Sequence, residues 1–88
     1  MKIRILKSFT RDLMNFSDDK MRIRIGDLVN QIEKADQFSS ITNIKKLTGY
    51  KNCYRIRVGD DRIGIYFEAE EVIFARVLHR REVYKKFP

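Results

Sequence analysis

Three arginines, Arg55, Arg57 and Arg62, fall in a stretch whose alternation decides where they point: Tyr54-Arg55-Ile56-Arg57-Val58-Gly59-Asp60-Asp61-Arg62-Ile63-Gly64-Ile65-Tyr66. Side chains of a strand alternate between its two faces. Read as a β-hairpin, the stretch sends Tyr54, Ile56 and Val58 one way and Arg55 and Arg57 the other. Beyond the Gly59-Asp60-Asp61 turn, Ile63, Ile65 and Phe67 continue the apolar face, and Arg62, Gly64 and Tyr66 the polar one. The hairpin thus supplies half a core on one side and gathers guanidiniums beside an aromatic ring on the other. A merely solvated face is the competing reading, but like charges this close cost stability unless an anion, best a polyanion, relieves them. Arginine stays protonated at any relevant pH, so these residues can hardly act as bases. What they can do is stabilise negative charge, because the planar fork pairs two phosphoryl oxygens. A proton must be carried by something else. His79, the one histidine, has the only side chain here with an unperturbed pKa near neutrality. A lone histidine at a strand end is as readily a capping or packing residue.

The elements that hold these residues must come from 88 residues, the length of one small domain with a modest core. The net charge is +7. Residues 1–43 carry 8 basic and 6 acidic side chains, net +2, and residues 44–88 carry 11 and 6, net +5. The excess therefore lies with the hairpin and the tail, which points to nucleic acid, an acidic protein, or both as partners. A single cysteine, Cys53, excludes an intrachain disulfide and fits a reducing, cytoplasmic setting. One cysteine and one histidine do not make a structural zinc site, and no metal or other cofactor is expected. Cys53 itself reads as a small packing residue. The charged, alternating start at Lys2 does not read as a signal peptide, and no apolar run is long enough to span a membrane.

In order, residues 2–6 read as a short strand with Ile3 and Ile5 on one face. Ser8 can cap a helix over 9–16, in which Phe9, Leu13 and Phe16 share a face. Ser17 or Asp18 can cap a second helix reaching Lys34 or Ala35, with Met21, Ile25, Leu28, Ile32 and Ala35 as one stripe. Residues 36–42 form a loop, and 44–47 a short strand or an extended lead-in to the turn at 48–52. After the hairpin and a reversal at 68–71, residues 72–78 make a last, central strand, with Arg76 able to join the arginine face. Residues 79–87 are a charged tail with two aromatics. The order β-α-α-β-β-β, plus a short C-terminal helix or tail, predicts a single α+β domain over 1–88. Both N-terminal helices would pack on one face of a small antiparallel sheet, leaving the arginine face open.

Lys46-Leu47-x-Gly49, then Tyr54-Arg55-Ile56-Arg57-Val58-Gly59-Asp60, then Arg62 to Tyr66, then His79-Arg80-Arg81-Glu82-Val83-Tyr84 follow one another in this chain. In that order the motifs resemble the RelE/ParE superfamily of toxins, and more closely its RelE branch, along essentially the whole length. The resemblance implies a type II toxin–antitoxin system. It implies a toxin that enters the ribosomal A site, contacts ribosomal RNA and cuts messenger RNA there, and a cognate antitoxin that neutralises it. Operator DNA would be contacted only indirectly, through the antitoxin. ParE-type relatives share the fold and poison DNA gyrase instead, so a gyrase inhibitor without nuclease activity is the alternative. A decayed toxin that only binds antitoxin or RNA is another.

By the same resemblance, Arg55, Arg57 and Arg62 match basic strand positions of the family, Arg80 the arginine after the last strand, and Tyr84 the late tyrosine. Arginine replaces the lysine pair that some members carry on the first strand. Small metal-independent ribonucleases use the substrate's own 2′-hydroxyl to attack the adjacent phosphate, and that is the chemistry expected here. Arg57, Arg62 and Arg80 are then assigned to the scissile phosphate, and His79 or Tyr84 to the proton. Arg55, Arg76, Lys46, Lys51 and Arg81 fall to flanking RNA, although Arg81 with Glu82 also reads as a surface ion pair.

Overall fold

The alternating stretches come together as one sheet. A computed structural model describes all 88 residues, Met1–Pro88. They run as β1 (Lys2–Ile5), α1 (Lys7–Met14), α2 (Asp19–Lys34), a 3₁₀ turn (Phe38–Ser40), β2 (Ile44–Lys46), β3 (Cys53–Val58), β4 (Asp61–Glu68), β5 (Glu71–His79) and α3 (Arg80–Lys86). The strands lie in the order β1-β5-β4-β3-β2. The α+β class holds, but the sheet is mixed rather than wholly antiparallel. β1 runs parallel to β5, whereas β2–β3, β3–β4 and β4–β5 are antiparallel. Parallel neighbours need a long crossover, and everything between β1 and β5 supplies one. The short run at Ile44 is a true strand, so the sheet has one member more than the alternation alone required.

One face is covered by α2, whose Ile25, Val29 and Ile32 pack with Phe9 of α1 onto Ile56, Val58, Ile63, Ile65, Val72, Phe74 and Val77. The helix starts where the sequence put it, the Asp18 carboxylate accepting the Lys20 N–H at 3.0 Å. The first helix starts earlier than expected, and Ser8 is not its cap. Leu6 continues the β1–β5 ladder by donating its N–H to Phe74 O at 3.0 Å, and the chain turns straight into α1. Ser8 instead donates its hydroxyl to Ala75 O at 2.5 Å. Where β1 stops, α1 takes over the open edge of β5. Buried Asp12 accepts the Val77 N–H at 3.1 Å and holds the Arg76 guanidinium at 2.6 and 3.0 Å.

That pair corrects the placement of Arg76. Gly64 pairs with Arg76, but its neighbour Ile65 pairs with Phe74, so Ala75 is an extra residue bulged into β5. A bulge breaks the period of two. Phe74 and Val77 therefore both enter the core beneath α2, Ala75 enters the opposite cluster, and Arg76 turns to α1 instead of joining the other arginines.

The second correction concerns the arginine face, which is only partly open. The tail forms α3 and lies across it, with Val83 and Phe87 buried against Leu47, Cys53 and Ala75. Gly64 makes this approach possible. A Cβ there would sit 2.5–2.7 Å from carbons of the Phe87 ring, closer than any real contact. No helix is long and apolar enough to cross a membrane.

Candidate functional site

Strand register now fixes which charges meet. Arg57 stands directly opposite Arg62, and Arg55 is flanked by Lys45 on β2 and by Gly64 on β4. Both cationic pairs are cross-strand neighbours of like sign, an arrangement that opposes folding. The ion pairs of the chain are Arg4–Glu71, Arg22–Asp19, Arg76–Asp12 and Lys86–Glu82, so these four cations have no carboxylate partner. Together with Asn43, Ile44 and Tyr84 they line a groove of about 340 Å³. Its lining offers a metal ion no anionic ligand and offers an anion several donors.

Each side chain is aimed by its element. Arg62 donates from one terminal nitrogen to Gly59 O and Asp61 O, both at 2.9 Å, so the hairpin turn orients its guanidinium. The Arg57 N–H donates to Asn43 O at 2.8 Å and carries the pairing one residue past β2. Tyr84 sits on the outward side of α3, 64 % exposed, while Val83 and Phe87 anchor the helix. The Arg55 guanidinium lies over the Tyr84 ring, 4.4 Å from its centroid, a cation–π contact. Arg55 Nε is buried with no acceptor.

The groove gathers Arg55, Arg57, Arg62 and Tyr84 but excludes the other proposed catalytic residues. His79 is the N-cap of α3, where its Nδ1 accepts the Arg81 N–H at 3.2 Å. The Arg80 backbone N–H donates to Asp60 O at 2.9 Å, tying the head of α3 to the β3–β4 turn. The side chains of His79, Arg80 and Arg81 are exposed and line no groove. Glu82 pairs with Lys86 at 3.3 Å, not with Arg81. Lys51 is exposed in the turn before β3 and lines neither hollow on this face, whereas Lys46 lines the second one. Lys45, Asn43 and Tyr50 went unnoticed in the sequence. Lys45 carried a signal in the shortness of its strand, but only the β2–β3 register sets it beside Arg55.

Two further hollows adjoin the groove. One, also about 340 Å³, shares Lys45, Arg55 and Tyr84 and adds Lys46, Thr48, Tyr50 and Pro88 among its walls. The other, about 400 Å³, is the largest and lies on the opposite side of the sheet, between α2 and β3, sharing only Asn43 and Arg57 with the groove. Its size does not make it the reactive centre, because it mixes Asp27 with Lys20 and Arg24 and lacks a tyrosine. Near the head of α3, burial pushes the Asp61 carboxyl up from its ordinary value, offset in part by His79 opposite. Burial, with Glu68, pushes the Cys53 thiol up, so it is a packing group and not a nucleophile.

No protein-family model matches the chain. Across 89 aligned residues, covering 100% of both chains, it is 39% identical to Toxin RelE3 of Methanocaldococcus jannaschii. A chain of the crystal structure of the RelB-RelE antitoxin-toxin complex from Methanococcus jannaschii superimposes with a TM-score of 0.81 at 38% identity, over 97% of this chain and 99% of that one. The archaeal RelE-RelB complex from Pyrococcus horikoshii OT3 shares the fold at a TM-score of 0.71 and 18% identity, over 90% and 93% of the two chains.

Proposed function

Because this chain belongs to the RelE family of toxins, we propose that it is a metal-independent endoribonuclease that cuts messenger RNA in the ribosomal A site. The observation that supports this reading best is the groove in which four cations and a tyrosine converge with no carboxylate among them. The 2′-hydroxyl oxygen attacks the adjacent phosphorus and the P–O5′ bond breaks, giving a 2′,3′-cyclic phosphate and a 5′-hydroxyl. One proton leaves the 2′-hydroxyl and one reaches the departing 5′-oxygen. Arg57 and Arg62 hold the phosphoryl oxygens on which charge develops. Preorganised donors of this kind contribute about 10²–10³-fold each. Arg55 and Lys45 carry the flanking phosphate. The 2′-hydroxyl proton leaves to water, the Tyr84 phenol, which lines the groove, gives its proton to the departing 5′-oxygen and is reprotonated from water, and His79 is assigned to capping α3. Arg80, Arg81 and Lys51, exposed outside the groove, are assigned to ribosomal RNA and to more distant phosphates.

The partner is a cognate antitoxin, and the relatives crystallised as antitoxin–toxin complexes support it. The hollow between α2 and β3, with Ile23 64 % exposed and Arg57 at its rim, suits an acidic amphipathic segment. The toxin's place of action is then the cytoplasm, with the ribosomes.

Inducing the gene and sequencing RNA 5′ ends tests the reading. New 5′-hydroxyl ends inside translated codons, absent with Arg57→Ala, are expected. Intact messages with arrested DNA replication would overturn it in favour of gyrase poisoning.

A further inference from the structure

Arg55 and Tyr84 form a partition, with the arginine groove on one side and the second hollow on the other. Tyr50 lines that hollow and not the groove. It stands on a tight turn in which its N–H reaches back to Leu47 O at 3.4 Å and Gly49 takes φ +87°, the left-handed value that position i+2 of a type II turn requires. Leu47 is buried in the cluster beneath α3, so the turn is anchored at one end. Tyr50 nevertheless belongs to neither core cluster and is 50 % exposed. Two exposed tyrosines, at 50 and 84, thus line one hollow of about 340 Å³, with Lys46 beside them and the Thr48 hydroxyl at hand. Aromatic rings over a basic track are how single-stranded nucleic acid is held, bases stacked and phosphates paired.

We propose that the hollow between Tyr50 and Tyr84 is a subsite for one unpaired nucleobase of single-stranded RNA, that of the nucleotide next to the scissile phosphate. Tyr50 stacks on the base, Thr48 reads its edge, and Lys46 meets the following phosphate. The Arg55 guanidinium, which lies over the Tyr84 ring and lines both groove and hollow, meets the sugar–phosphate that crosses from one to the other. Rings stack on any base, whereas the Thr48 hydroxyl can pair only with the edge groups its place on the turn lets it reach, so Thr48 rather than Tyr50 sets base preference. This inference rests on the proposed ribonuclease reading for its substrate class.

Binding of a fluorescent 2′-O-methyl trinucleotide, which cannot be cut, tests the subsite apart from catalysis. With each of the four bases placed in turn, Tyr50→Ala should weaken binding about 5–150-fold and Tyr50→Phe less than about twofold. Thr48→Val should reorder the four affinities. Arg57→Ala should weaken all four alike and leave their order unchanged. Binding by Tyr50→Ala that stays within about twofold of wild type, in protein whose circular dichroism is unchanged, overturns the subsite; so does a wild type that does not bind the probe. Tyr50-dependent binding by a toxin that leaves cellular messages intact keeps the subsite and removes the nuclease reading. Cut positions and rates identical in wild type and Tyr50→Ala keep the nuclease and remove the subsite.

Discussion

Replacing Arg57 should make the protein more stable and less active at once. Its side chain is exposed, makes no ion pair, and faces Arg62 directly across the β3–β4 ladder. Thr at this position keeps the backbone N–H that donates to Asn43 O and favours the strand. Cross-strand pairs are worth about 0.2–1 kcal/mol, and like charges act against folding. For a domain of this size, 1 kcal/mol moves the melting temperature by about 4–8 °C, so Arg57→Thr should gain about 1–8 °C at low ionic strength. The gain should shrink in 1 M salt, where the screening length falls to about 3 Å. Loss of a donor aimed at developing charge should lower single-turnover cleavage of a ribosome-bound message about 10²–10³-fold. Thermal unfolding at two salt concentrations and the cleavage assay read both effects. A variant that melts lower than wild type at low salt would show that the arginines do not strain the fold. Cleavage within tenfold of wild type would remove Arg57 from the phosphate clamp.

Gly64→Ala should cost about 1–3 kcal/mol by overpacking, because its Cβ would collide with the Phe87 ring; limited trypsin digestion should cut the C-terminal segment faster, and unchanged digestion would mean that α3 docks some other way. Asp12→Ala leaves Arg76 and the Val77 N–H without their partner, so denaturant titration should show a loss of about 3–5 kcal/mol, with Asp12→Asn losing less because its carboxamide oxygen still accepts. Asp61 has its carboxyl pKa raised chiefly by burial, so the folded state binds that proton more tightly than the unfolded one. Its ionised form is then a penalty at neutral pH that disappears as the pH falls through the raised value towards the ordinary one. Asp61→Asn should accordingly be stabilised at pH 7 with the advantage lost in acid, and an advantage that grows in acid would reverse the sign.

The hairpin was legible because its alternation is strict: the faces of Tyr54 to Tyr66 come out as the sequence dictates, and Arg55, Arg57, Arg62 and Tyr84 share a groove. The cap at Asp18 and the end of α2 at Lys34 were legible for an equally local reason. What failed was non-local. Arg76 was misplaced by a bulge that only β4–β5 pairing creates, and Ser8 misread because Ala75 O, far along the chain, claims its hydroxyl. The parallel neighbour β1 left no mark on its own composition. The cover over the arginine face was hidden because Gly64 and Phe87 are each ordinary until they touch. The same contact separates Tyr84, carried into the groove by α3, from His79, held at the helix head as a cap.

The two apolar clusters are built from separate sets of buried residues. The larger one, under α2, takes nothing from the last helix, whereas Val83 and Phe87 belong wholly to the smaller. A nonsense codon just after His79 would delete Tyr84 and lay bare Leu47 and Ala75, yet leave the eleven-residue core and the α2 hollow standing. On the proposed reading, in which an antitoxin seats in the α2 hollow, such an allele would encode a decoy that still occupies the antitoxin, so loss of the toxin in one copy would release it in another. Co-purification of the antitoxin with residues 1–79 is the measurement that decides this, and an insoluble fragment would make the same allele merely silent.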